Sequence, residues 1–233
     1  MLNYLGPNGD LDVGSCLMTK LETGVLTIAL NRLEQHNAIN TDMSLALQRL
    51  LTAVSRDDTV RVVVVRGNGP SFCVGLENAE FLDATLAAEQ LLRNLALPVI
   101  AMVHGKCHGG AMALIEACDI VFASDETEFS LTEQAYDGTA AQPMGLVTLS
   151  MPDSALEVET YQLARDLADK DSLALRFTKE ALSRVADIPW DEVLSYTMTQ
   201  QSELKSLQAG RPSARALAVE SFLAGKSKPG TGG

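Results

Sequence analysis

The chain has 233 residues, 46% of them hydrophobic and 21% charged, enough to bury an ordinary core and too apolar for a disordered or collagen-like class. Eighteen Lys and Arg against thirty Asp and Glu leave a net charge of −12, a sign that repels phosphate backbones and anionic lipid alike. Neither a nucleic-acid partner nor a membrane surface is expected. The four cysteines, Cys16, Cys73, Cys107 and Cys118, have no CxxC spacing, and the opening MLNYLGPNGD is not a basic segment leading into an apolar run. The reading is a cytoplasmic chain with free thiols, no metal site and no membrane span.

Residues 1–16 mix Gly, Pro, Asn and Asp without period and predict a loose N-terminal arm. Two strand-like runs, 17–20 and 25–30, flank Glu22-Thr23-Gly24 and predict a hairpin. Over 42–55, Met43, Ala46, Leu47, Leu50, Leu51 and Val54 fall at helical spacing, with Thr41 available as the cap. The β-branched run VRVVVVR over 60–66 predicts a strand buried on both faces of a sheet. After a Gly/Pro/Ser loop at 67–71, a helix over about 80–95 and a second buried strand at 99–103 imply a parallel crossover unit. A turn over 104–110, a helix over 111–117 and a strand over 119–123 repeat it. Helices are then predicted over 154–170, 172–185, 191–207 and 213–224, interrupted by Pro152, Pro189 and Pro212, and the Gly-rich 225–233 ends the chain as a flexible tail.

Three stretches carry candidate chemistry: NRLEQHNAIN at 31–40, SFCVGLENAEF at 71–81, and the segment 99–133 with HGKCHGGAMALIEACDI at 104–120 and FSLTE at 129–133. In this order and spacing they resemble the crotonase superfamily, the enoyl-CoA hydratases and isomerases, from about residue 17 to the C-terminus. The resemblance implies an α/β fold with a ββα spiral core over 17–150. It also implies a C-terminal helical trimerisation region over 151–224, assembly as a homotrimer or dimer of trimers, and a thioester substrate in which coenzyme A is part of the substrate, with no separate cofactor.

Carried over residue by residue, the resemblance puts two backbone N–H donors of an oxyanion hole on Leu76 and Gly110. A helix N-terminus offers unpaired N–H groups and a positive dipole end, which suits an enolate oxygen forming on a thioester carbonyl. Leu76 is bulkier than the residue common there and is expected to narrow the pocket. Of the two glutamates that clamp water in the family's hydratases, Glu133 matches the second, whereas the first position holds Ala113. One carboxylate suffices to move a proton between two carbons, so a single-base isomerase fits better than a hydratase.

His36, Ala38, Cys73, Gly75, His108 and Gly109 join Ala113 as candidate substrate-binding residues. Glu116 lies one helical step beyond Ala113 and reads as a structural partner; Glu77 and Glu80 read as capping or ribose-side residues. For His108 a hydrogen bond to backbone outweighs an acid/base role, and for Cys73 and Cys107 packing outweighs a nucleophilic one. Lys226 and Lys228 are candidate phosphate contacts or a solvated tail.

From Glu133 to Gly145 the chain runs only through QAYDGTAAQPM, where the family has a helix and flanking turns. Either the wall of the acyl pocket is shortened or a segment is missing from the sequence; the abrupt join of Pro143-Met144 to a strand-like 145–147 favours the second. Two further functions compete with the acyl-CoA enzyme: a dehydratase or decarboxylase acting on acyl-carrier-protein thioesters in polyketide β-branching, and a catalytically silent relative that binds CoA thioesters.

Overall fold

The computed structural model describes residues 13–78, 82–132, 134–185, 187–210, 219–220 and 222–223. They fall into two compact units divided after Lys170. The first holds strands β1 (Leu17–Glu22), β2 (Val25–Leu30), β3 (Val62–Gly67), β4 (Val99–Val103), β5 (Lys106–His108), β6 (Ile120–Ser124), β7 (Glu128–Ser130), β8 (Ala135–Tyr136) and β9 (Leu149–Met151). Its helices are α1 (Thr41–Val54), α2 (Leu82–Arg93), α3 (Gly110–Glu116), α4 (Gly138–Ala141) and α5 (Asp153–Ala168). The second unit contains α6 (Ser172–Val185) and α7 (Trp190–Leu207), which pack on each other.

Six strands form one sheet in the order β1-β2-β3-β4-β6-β9, parallel throughout except for the β1–β2 hairpin. The valines of β3 explain its central place: Val63 and Val65 enter the large core with Leu26, Ile28 and the apolar faces of α1 and α3. Val62 and Val64 point the other way and pack with Ile100, Met102 and Leu156 of α5. Period-two alternation in a strand covered on both faces produces a run with no polar residue. Helix α5 thus belongs with the sheet, and the boundary between the units falls twenty residues beyond the expected start of the helical region at 151.

A second, three-stranded sheet, β5-β7-β8, was not visible as a pattern because its strands are three, three and two residues long. It stands at the carboxyl end of the main sheet, joined to the 71–78 loop by a bridge between Cys73 and Cys107.

Several local expectations change. The hairpin turn is Thr23-Gly24, since Glu22 remains in β1 and pairs with Val25. The cap of α1 is Asn40, whose side chain accepts from Met43 N at 3.0 Å, and Thr41 is the first helical residue. Residues 13–16 of the expected arm are fastened down, with Val13 buried and Cys16 O accepting from Asn31 N. Residues 145–147 are a turn rather than a strand. Gly145, at φ +79°, donates to Gln142 O while Leu146 N reaches back to Ala141 O, the paired bonds of a Schellman helix end. Thr148 then exchanges bonds with Val121, and β9 pairs beside β6. The join after Met144 therefore carries its loop signal in Gly145. The expected helix over 213–224 and the tail over 225–233 lie largely or wholly outside the described residues, as do Lys226 and Lys228.

Asn37 is the side chain on which the loop packing turns. It is fully buried at φ +61°; its Oδ1 accepts from Arg32 N, and its Nδ2 donates to Asn68 O and Ser71 O. Asn37→Ala removes three bonds at once and strands buried backbone groups. It is expected to lower stability by about 2–4 kcal/mol, read as a fall in the urea midpoint with unchanged slope.

Candidate active site

The three motif stretches meet through their backbones. Val74 N donates to His36 O, Ile39 N to Gly75 O at 2.7 Å, and Glu77 N to Ile39 O, so 36–39 is laid along 74–77. On the other side Cys73 N donates to Lys106 O and His108 N to Cys73 O, so 73–75 also lies along 106–108. Gly109 N donates to Ser130 O at 2.8 Å, which brings in the end of β7, three residues before Glu133 in the chain. Glu133 itself lies outside the described residues, as does Glu80.

Two glycines let the strands come this close. A Cβ on Gly75 would stand 2.7 Å from His108 O and 3.2 Å from Gly110 N, distances that only a missing side chain permits. Gly109, the cap of α3, takes φ +53° and ψ −124°, a conformation closed to other residues. The N–H of Gly110 is the first of α3, and a Cβ built on Gly110 would lie 3.6 Å from Leu76 N. Two backbone amides, of Leu76 and Gly110, therefore stand side by side. Among the described residues neither has a hydrogen-bond acceptor. Leu76 lays its Cγ 3.0 Å from that same point, so its side chain covers Gly110.

The remaining candidates sort by position. Ala38 is buried, and its carbonyl accepts from the Arg32 guanidinium, which also pairs with Glu77 at 2.9 Å. Glu77 thus ties the 31–40 and 71–78 stretches together instead of capping a helix. His36 is exposed in the left-handed region at the end of a short 3-10 turn. The His108 Nε2 lies 2.8 Å from Glu128 Oε1, a side-chain contact across the small sheet where a backbone bond was expected; the ring N–H is not aimed along it. Cys73 and Cys107 are fully buried; burial pushes the Cys73 thiol up to about 12 and the Cys107 thiol well above its ordinary value. Both stay protonated and pack, and Cys73 Sγ accepts from Gly75 N. No group of metal-ligating residues occurs among the described residues.

Ala113 and Glu116 are exposed on α3, while Ala111, Met112, Leu114 and Ile115 are buried. Glu116, expected to be a structural partner, forms no ion pair among the described residues. A second acidic residue, Glu89 of α2, is one no motif had marked. Glu89 shares the inner face of α2 with Thr85, Ala88 and Leu92 and is 8% exposed. Burial, and then the Glu116 charge, raise its carboxyl to about 7. Two clefts, of about 580 Å³ beside Arg32 and Arg49 and about 550 Å³ between β1 and α5, lie away from the Leu76 and Gly110 amides.

A family model described as Enoyl-CoA hydratase/isomerase matches residues 20–142, which contain all of this geometry except the α5 side of the sheet. The chain belongs to the enoyl-CoA hydratase/isomerase family. It is 28% identical to the hydroxycinnamoyl-CoA hydratase-lyase of Pseudomonas fluorescens, covering 91% of this chain and 93% of that one. To the 1,2-epoxyphenylacetyl-CoA isomerase of Escherichia coli it is 27% identical, over 93% of this chain and 98% of the other. The fold matches a crystal structure of an enoyl-CoA hydratase from Bacillus anthracis with a TM-score of 0.78 at 21% identity, covering 91% of this chain and 97% of that one. The alignment with the Pseudomonas relative spans 261 positions, more than this chain has residues, so that relative carries stretches without counterpart here. As a member of this enoyl-CoA hydratase/isomerase family the chain is an acyl-CoA enzyme, and no helix among its described residues is long and apolar enough to cross a membrane.

The raised Glu89 carboxyl makes a stability prediction. The folded state holds this proton up to about pH 7, whereas the unfolded chain releases it near 4.5. Stability is therefore lost as pH rises between these values and stays lost above them, by at most about 3 kcal/mol. Glu89→Gln is expected to match the parent protein in urea unfolding near pH 5 and to exceed it at pH 8.

Proposed function

We propose that this enzyme holds a thioester carbonyl between the N–H groups of Leu76 and Gly110 and moves a proton on the acyl chain with Glu133. The observation that carries this reading is the pair of amides, Leu76 and Gly110, side by side at the start of α3 with no acceptor among the described residues. Such groups are preorganised for negative charge and need no rearrangement when it forms. Removal of a proton beside the carbonyl sends the electron pair onto the thioester oxygen, where the two N–H groups and the helix dipole meet it. Return of the proton at another carbon completes a double-bond shift with no change in composition.

Ala113 favours isomerisation over hydration, because addition of water needs one group to activate the water and another to protonate carbon. Ser130 supports the role of Glu133: its carbonyl receives the Gly109 N–H beside the amides, and Glu133 follows three residues later. The candidate contacts with substrate are His36, Ala38, Gly75, Gly109 and Ala113, with Cys73 and His108 shaping the backbone around them. Free acyl-CoA is preferred to a carrier-bound thioester, since a charge of −12 disfavours docking an acidic carrier protein. Assembly as a homotrimer or dimer of trimers in the cytoplasm completes the reading. It is supported by the apolar side chains left open on the second unit, Leu182, Trp190, Leu194 and Met198.

The test is incubation with a medium-chain 3-enoyl-CoA, followed by chromatography and mass. Conversion to the 2-enoyl isomer at unchanged mass is expected, and gain of a water's mass would contradict the single-base mechanism. Glu133→Gln is expected to lower kcat by about 10²–10⁴ with ligand affinity nearly kept. Gly110→Pro removes the N–H but also sets a Cβ 3.0 Å from Leu76 Cγ, so the melting temperature is the folding check; in folded protein it is expected to cost about 10²–10³. Unchanged turnover in either variant would remove that residue from the mechanism.

A further inference from the structure

The Leu76 side chain leaves the flank on which its main chain is held. Residue 76 bridges to Ile39, and Glu77 N donates to Ile39 O, so the backbone here belongs with the 36–39 stretch. The isobutyl group crosses to α3. Its Cγ lies 3.0 Å and its Cδ1 3.6 Å from the point that a Cβ on Gly110 would occupy, and the half-buried side chain also packs against the large core. Leu76 thus supplies, beside the two amides, the apolar surface that Gly110 lacks.

We propose that the Leu76 side chain is a specificity determinant, excluding acyl groups branched at the carbon next to the thioester carbonyl and admitting those unbranched there. This rests on the reading that the Leu76 and Gly110 amides hold the thioester carbonyl. The reacting carbons then lie on the α3 flank, because Ser130, three residues before Glu133, receives the Gly109 N–H there. With the carbonyl oxygen seated about 2.7–3.1 Å from both nitrogens, the next carbon lies about 2.4 Å from that oxygen. An unbranched chain passes beside the leucine. A methyl on that carbon reaches about 1.5 Å further, into the about 3.5–4.0 Å that Leu76 Cγ and Cδ1 keep from other carbons.

One carbon further along, the wall changes. Ala113, about 4.5 Å beyond Gly110 along the helix axis, is exposed and offers only a methyl group. A branch at that second carbon meets open space and is accepted. The N–H of Leu76 therefore holds the oxygen, while its side chain selects the acyl group.

The experiment is calorimetric titration of the full chain with butanoyl-CoA, 2-methylpropanoyl-CoA, 3-methylbutanoyl-CoA and free CoA. The first two are isomers that differ only in the branch, and all three esters are saturated, so affinity is read without turnover. The parent protein is expected to bind butanoyl-CoA at least about tenfold more tightly than 2-methylpropanoyl-CoA, and 3-methylbutanoyl-CoA at least as tightly as butanoyl-CoA. Leu76→Ala is expected to bring the first ratio close to one by a gain for the 2-methyl ester. Leu76→Met, which keeps the volume in the core but gives way more easily, is expected to fall between and reads the ratio even if Leu76→Ala does not fold.

A general loosening of the site would weaken all three esters alike and leave the ratios unchanged. A ratio near one in the parent, a ratio unchanged in both variants, or equal exclusion of the 3-methyl ester overturns the role of Leu76 while leaving the acyl-CoA reading in place. If no ester binds more tightly than free CoA, the acyl site itself fails and the selection with it.

Discussion

The close approach of Gly75 to the 108–110 backbone is the constraint on which the rest depends. A single methyl group at 75 would press to 2.7 Å from His108 O, so the loop after β3 and the turn before α3 join only because that position is bare. Apart from the Gly75 N–H to Cys73 Sγ, the bonds around it are main-chain ones: 36–39 on one flank, 106–108 on the other, Ser130 behind Gly109. Side chains then lock the frame, Asn37 from within and the Arg32–Glu77 pair from the rim. The large sheet fixes where these loops begin, since β3 and β4 are parallel neighbours and both end at the same edge. An arrangement of amides held by backbone tolerates a change of side chain, and a leucine at 76 is compatible with it.

Charge follows the same economy. The molecule is strongly acidic, yet the end of α3 offers partial positive charge through its first amide, without any Lys or Arg. Away from that point the helix carries one acidic side chain, Glu116, and α2 buries another, Glu89.

Much of this was legible in the residues. The parallel sheet followed from runs such as VVVV in β3 and VIAMV in β4, and the helices α1, α6 and α7 followed from apolar spacing and flanking prolines. The amides of 76 and 110 were reachable only through motif spacing, because a backbone donor leaves no trace in residue type. The small sheet escaped because strands of two or three residues show no period. Asn37 hid inside QHNAIN, where an asparagine adopting positive φ reads as an ordinary loop residue. Glu89 escaped for a different reason: one acidic residue in LDATLAAEQLLR looks like part of the solvated face, and only the packing of α2 turns it inward. The Gly145 turn was overlooked because α4, the helix it ends, is four residues long.

The central claim is that two backbone N–H groups polarise a thioester carbonyl. Difference infrared spectroscopy of a bound acyl-CoA labelled with ¹³C at that carbonyl tests it most directly. The account predicts that the carbonyl stretch moves to lower frequency than in water, and that the shift is lost in Gly110→Pro. A bound thioester whose carbonyl stretch equals that of the free compound, or whose shift survives the loss of the Gly110 N–H, would contradict it.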